Sequence, residues 1–194
     1  MKKIIFNPFQ NYSEKQLITF GILAGIIGCL LAFAFNGRFD GVLDLHFIEK
    51  TSISTTAIDL IINIFILSTL LFLVGKLVNK KTRFIDIIAT SLIAKIPFYF
   101  LLFFNVNNKM YLVTEKLIDM VSKNKQINIE NSEMVLLVLS GIATFICLIW
   151  SIILLFNGFK TATNSKEAKH ILLFGLAIIL AEVISKIIIL KLNY

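Results

Sequence analysis

Residues 84–104 read FIDIIATSLIAKIPFYFLLFF, and this stretch decides the fold. A helix of that length rises about 31 Å at 1.5 Å per residue, which matches the hydrocarbon thickness of a bilayer. Only Asp86, near one end, and Lys95, near the middle, carry charge. The stretch therefore reads as a membrane span with an ammonium group close to its midplane. Four further apolar blocks lie at 17–35, 57–78, 134–157 and 171–190, separated by polar loops. Together they predict an all-α fold, an integral membrane five-helix bundle forming one domain over residues 1–194. Composition agrees, with 57% apolar and 16% charged residues, against about 45–50% and 25% in soluble chains.

Lys2 and Lys3 precede an apolar run that ends Ala32-Phe33-Ala34, a pattern that resembles a signal-peptide cleavage site. The block from 17 to 35 exceeds the usual secretory core of about 7–15 residues and follows a mixed segment containing Pro8 and Glu14, so it is expected to be a retained span. Cys29 and Cys147 lie alone inside apolar blocks, and no disulfide framework or thiolate metal site is expected. The net charge of +7 is clustered beside spans, where cations orient helices and meet anionic lipid. Nucleic acid is not expected as a partner.

The loops suggest an orientation. One side collects ten bases, Lys2, Lys3, Lys15, Lys76, Lys80, Lys81, Arg83, Lys160, Lys166 and Lys169, with Glu14 and Glu167 as its acids. The other holds seven bases, including Arg38, Lys50 and Lys125, balanced by seven acids. The positive-inside rule then places the N terminus in the cytoplasm and the C terminus outside a cell membrane. The tight turn 79–83 makes the second and third spans antiparallel neighbours. Lys80, Lys81 and Arg83 read as an orientation signal and, alternatively, as a patch for anionic lipid or an acidic partner. In the long loop 105–133, Met110, Val113, Leu117, Met120 and Val121 recur at helical spacing and predict a short interfacial helix. Residues 122–132 read as mobile loop. The first outer loop combines a turn at 36–41 with Asp40, Asp44, His46 and Glu49. It matches no metal motif and is expected to be a solvated hairpin resting on the bundle.

Charges within spans are the strongest functional leads, because each costs roughly 2.5–3.5 kcal/mol at a helix centre. Asp59, Lys95, Glu182 and Lys186 form the candidate cluster. Lys95 and Glu182 share a depth, so a direct salt bridge is expected, with Lys186 pairing Glu182 or Asp59. Such a cluster reads as a structural clamp or, alternatively, as a proton or substrate path. Pro97, two residues past Lys95, is expected to kink the third span. Gly21, Gly25 and Gly28 give the first span a close-packing face, and Ala177, Ala181 and Ser185 give one to the fifth. Trp150 and Tyr99 are expected to be lipid-facing bulk. No H-E-x-x-H, G-x-S-x-G or phosphate-binding loop is present, and no catalytic residue, cofactor or metal is expected.

With the spans placed, the chain resembles the Yip family, five-span proteins named for interacting with Ypt/Rab GTPases, as a bacterial-type member. The carriers are the basic turn leading into residues 84–97 with its mid-span Pro97. A second set is Trp150, the exit Asn157-Gly158-Phe159-Lys160, and residues 165–169 before the last span. The resemblance implies a cytoplasmic N terminus, an outward C terminus and action by contact. The expected partners are membrane lipids, other membrane proteins or further copies of the chain. Eukaryotic members carry an Asp-Leu-Tyr-Gly-Pro motif before the first span. Here Asn7, Pro8 and Phe9 stand nearby instead, and binding of a Rab-type GTPase is not expected. The alternative function is a small transporter or proton-coupled permease using Lys95 and Glu182.

Overall fold

The computed structural model describes residues 5–123, 128–165 and 167–192. Lys2, Lys3, Lys125 and Lys166 of the charge count lie outside the described residues. Five helices are long and apolar enough to cross a membrane: α1 (Glu14–Ala34), α2 (Ile53–Val78), α3 (Phe84–Leu101), α5 (Asn131–Thr163) and α6 (Ala168–Leu192). The sixth helix, α4 (Lys109–Ser122), is short and amphipathic. The protein is a multi-pass membrane protein with a helical bundle fold. Two faces close it: a hairpin face with the segments 35–52 and 102–123, and a basic-turn face with residues 5–13 and the turn 79–83.

Helix starts follow the local sequence. Ser13 caps α1 through a reciprocal box with Gln16, and Ser52 caps α2 by accepting the Thr55 N–H. Hydroxyl and amide side chains stand in for the first-turn donors that a helix leaves unpaired. α5 starts with Glu130 and Glu133 exchanging the same pair of bonds, and it ends at Asn164, whose φ of 52° is tolerated by asparagine better than by most residues.

α3 is the centre of the bundle. Of its apolar window 72% is buried, against 17–33% for the other four spans, whose outer faces meet lipid. α1, α2 and α5 pack around it, and α6 packs on α2. The glycine face of α1 meets α3 within the chain: Gly21 lies against Leu92 and Gly28 against the Tyr99 ring. Ala177, Ala181 and Ser185 are likewise buried. Tyr99 is therefore core and not lipid-facing, because the glycines opposite leave room for its ring. Across α3 the Ser68 hydroxyl bonds that of Ser91 at 2.9 Å, and Ser151 donates to the Ala94 carbonyl at 2.7 Å. The helix runs on through Pro97, which withholds a donor from the Ile93 carbonyl, and Ser151 bonds the neighbouring carbonyl in the same turn.

α3 ends at Leu101, short of the expected 104, and passes into a 3-10 stretch, Leu102–Asn108. Asparagine chemistry ends it. Asn107 and Asn108 adopt φ of 55° and 57°, and Asn105 donates to the Phe35 carbonyl at 2.7 Å while accepting the Tyr111 N–H at 2.9 Å. Asn36 donates to Asn108 at 2.9 Å, which ties the two hairpin-face loops together. Beyond this knot α4 turns Val113 inward, as its spacing predicts, and Lys116 pairs with Glu133 at 2.7 Å.

The first loop departs most from expectation. β1 (Gly37–Arg38) and β2 (His46–Phe47) form an antiparallel pair with Gly37 opposite Phe47. The segment between them is no solvated hairpin. Phe39 is fully buried and Val42 is 3% exposed, because the tip turns into the bundle between α2, α3 and α6.

Candidate functional site

The tip that enters the bundle, residues 38–44, is where the intramembrane charges converge. Lys95 sits eleven residues past Phe84, about 16 Å along α3. Its ammonium donates to the carbonyls of Gly41 at 3.0 Å and Val42 at 2.8 Å. The rings of Phe39 and Phe98 lie 4.8 and 5.0 Å from it, an arrangement in which aromatic quadrupoles attract the cation. Glu182, on α6, accepts the Leu43 N–H at 2.7 Å. Its carboxyl also lies against Gly41, where a side chain would collide with it. Lys186, one turn further along α6, pairs with Asp44 and stands 3.9 Å from Glu182.

α2 holds the other flank. Asp59 has no side-chain exposure and takes a two-pronged bond from Arg38, at 2.9 and 3.0 Å. One turn deeper, Asn63 donates to the Phe39 carbonyl at 2.7 Å. A loop placed at this depth has no water for its amides and carbonyls, so each must find a partner in the protein. Lys95, Glu182 and Asn63 provide partners for the Phe39, Gly41 and Val42 carbonyls and the Leu43 N–H, and the opposite charges on the loop and helices compensate one another.

Every member of the sequence-derived cluster, Asp59, Lys95, Glu182 and Lys186, thus touches one loop. The pairing differs from expectation. Lys95 and Glu182 do not bridge each other; loop backbone lies between them, its carbonyls facing the ammonium and its N–H facing the carboxylate. Lys186 takes Asp44, and Asp59 takes Arg38. Two residues went unnoticed in the sequence. Arg38 looked like an ordinary loop cation, and Asn63 was overlooked, although its spacing of four from Asp59 puts both on one face of α2. Elsewhere in the loop, His46 pairs with Asp40.

The basic turn is a separate feature. Lys80 and Lys81 are exposed. Arg83 is not a free cation: it donates to both Asp86 oxygens, at 2.9 and 2.8 Å, and pairs with Glu14. The hydrogen bonds that Arg83 donates to Asp86, reinforced by the charges of Asp86 and Glu14, raise the Arg83 pKa above its ordinary value.

The family model described as the Yip1 domain matches residues 4–189 of the chain. The chain belongs to the Yip1 domain family. Within this Yip1 domain the match covers all five spans and the buried loop alike. Comparison with curated proteins and with solved structures returns no match.

Proposed function

We propose that this Yip1 domain protein acts by contact within the bilayer, organising lipids or holding other membrane proteins, and that it catalyses no reaction. The observation that carries the reading is the engagement of Asp59, Lys95, Glu182 and Lys186 by residues 38–44. A permease needs intramembrane charges that a substrate or proton can reach; Asp59 and Lys95 are buried against the loop, and Glu182 and Lys186, which keep some exposure, are bonded to it. The lipid-facing surfaces of α1, α5 and α6, rich in exposed Ile, Leu and Phe, are the surfaces on which contact partners would sit. The N terminus lies in the cytoplasm and the C terminus outside a cell membrane, a placement supported by the bases around the turn 79–83. A reporter active only in the cytoplasm, fused at the C terminus, should be silent.

The functional test is flux. Vesicles reconstituted with the protein and loaded with a pH-sensitive dye should dissipate an imposed proton gradient no faster than protein-free vesicles. Faster dissipation that disappears in the Lys95→Met/Glu182→Gln variant would establish the permease and overturn the contact reading.

A further inference from the structure

The structure holds an amphiphile-shaped groove that the buried loop does not use. At the basic-turn face a polar cavity of about 520 Å³ lies between α1, α3 and α5 and contains Glu14, Arg83 and Asp86. A second cavity of about 580 Å³ runs on from it, apolar along its depth, past Phe20, Ile96, Phe100 and Trp150. The two adjoin at Tyr12 and Leu17, which line both, so that a charged head lies next to an apolar body. The residues before α1 form one wall of the body. Trp150 donates its indole N–H to the Ile5 carbonyl at 3.1 Å, and Asn157 donates to the Phe6 carbonyl at 2.8 Å.

The head is charge-selective. One guanidinium faces two carboxylates, leaving an excess of one negative charge, so an anionic headgroup is disfavoured. The Arg83 guanidinium lines this head beside the N-terminal turn of α3, whose N–H groups also favour an anion. Glu14 and Asp86 accept hydrogen bonds from a cation that carries N–H donors. A quaternary ammonium has none.

We propose that this groove binds one phospholipid whose headgroup carries a primary ammonium beside its phosphate. The phosphate sits at Arg83, the ammonium at Glu14 and Asp86, and an acyl chain lies in the body against Trp150. The assignment rests on the contact reading above and gives it a specific lipid.

Trp150 is the sole tryptophan of the chain and lines the groove body, so all tryptophan fluorescence arises at that wall. The full-length protein is reconstituted in phosphatidylcholine vesicles containing an equal low fraction of one brominated lipid, a phosphatidylethanolamine, phosphatidylcholine or phosphatidylglycerol. The ethanolamine lipid should quench Trp150 most, with a relative affinity roughly fivefold above the choline lipid, since two half-exposed charge contacts are together worth about 1 kcal/mol. The Glu14→Gln/Asp86→Asn variant should keep chain-dependent quenching and lose that preference. Equal quenching by all three lipids in the wild-type protein overturns the proposal, as does a preference for the anionic lipid. The wild-type comparison needs no variant to fold. It is also independent of the flux test: proton flux would defeat the contact reading whatever the quenching shows, and equal quenching would remove this lipid without creating flux.

Discussion

Replacing Arg38 with methionine tests the loop clamp where its energetics are simplest. The variant leaves the Asp59 carboxylate, with no side-chain exposure, without the guanidinium that meets both of its oxygens. Removing one partner of a buried pair costs about 3–5 kcal/mol. Arg38 keeps 15% exposure, which admits some water, so the lower end applies, about 3 kcal/mol. Asp59→Leu leaves a guanidinium at the loop mouth that can turn toward solvent, a loss of about 2 kcal/mol. The double variant exchanges the pair for apolar side chains, a change that is often near neutral. It should lie within about 2 kcal/mol of wild type, giving a coupling energy of at least about 3 kcal/mol. Unfolding in mixed micelles against increasing SDS fraction, followed by far-UV circular dichroism, measures all four proteins. Additive single effects, or an Arg38→Met cost below about 1 kcal/mol as for a surface pair, would refute the reasoning.

The same titration checks three further substitutions. Gly41→Ala places a methyl group 2.6 Å from the Glu182 carboxyl carbon; it should cost about 1–3 kcal/mol, and the added Glu182→Ala change should relieve part of that loss. Gly28→Ala brings a methyl group 2.6 Å from the Tyr99 ring and should cost about 1–3 kcal/mol, whereas Gly141→Ala meets nothing within 4 Å and should stabilise by about 0.5–1 kcal/mol. Asn105→Ala strands the Phe35 carbonyl and the Tyr111 N–H, for a loss of about 2–4 kcal/mol that Asn105→Asp, which turns a carboxylate oxygen toward the Phe35 carbonyl, should not reduce.

The spans were legible because membrane helices advertise themselves by length and hydrophobicity, and the α4 helix by its Met110 to Val121 spacing. Glycines 21, 25 and 28 announced a close-packing face because few other reasons place small residues at that spacing. The identities of the intramembrane charges were equally plain. Their partners were not, since a count of charges along helices carries no information about a loop folding inward. Phe39, Val42 and Leu43 resembled the apolar face of a surface hairpin; only their depth shows that they line a buried tip. Lys95 and Glu182 looked like each other's counter-ions because depth was the only coordinate available. Backbone carbonyls and amides, the actual partners, have no signature in a sequence.

The central claim is that the loop tip at Phe39, Gly41 and Val42 sits buried inside the bundle, held by the intramembrane charges. Single cysteines placed at Val42 and at Lys50, with Cys29 and Cys147 replaced by alanine, test it directly with a membrane-impermeant maleimide in sealed vesicles of known orientation. Val42 is 3% exposed and Lys50 is exposed. The account predicts that the cysteine at 42 reacts at least about tenfold more slowly, because labelling requires the loop to open against more than about 1.4 kcal/mol. Equal rates at the two positions would contradict it.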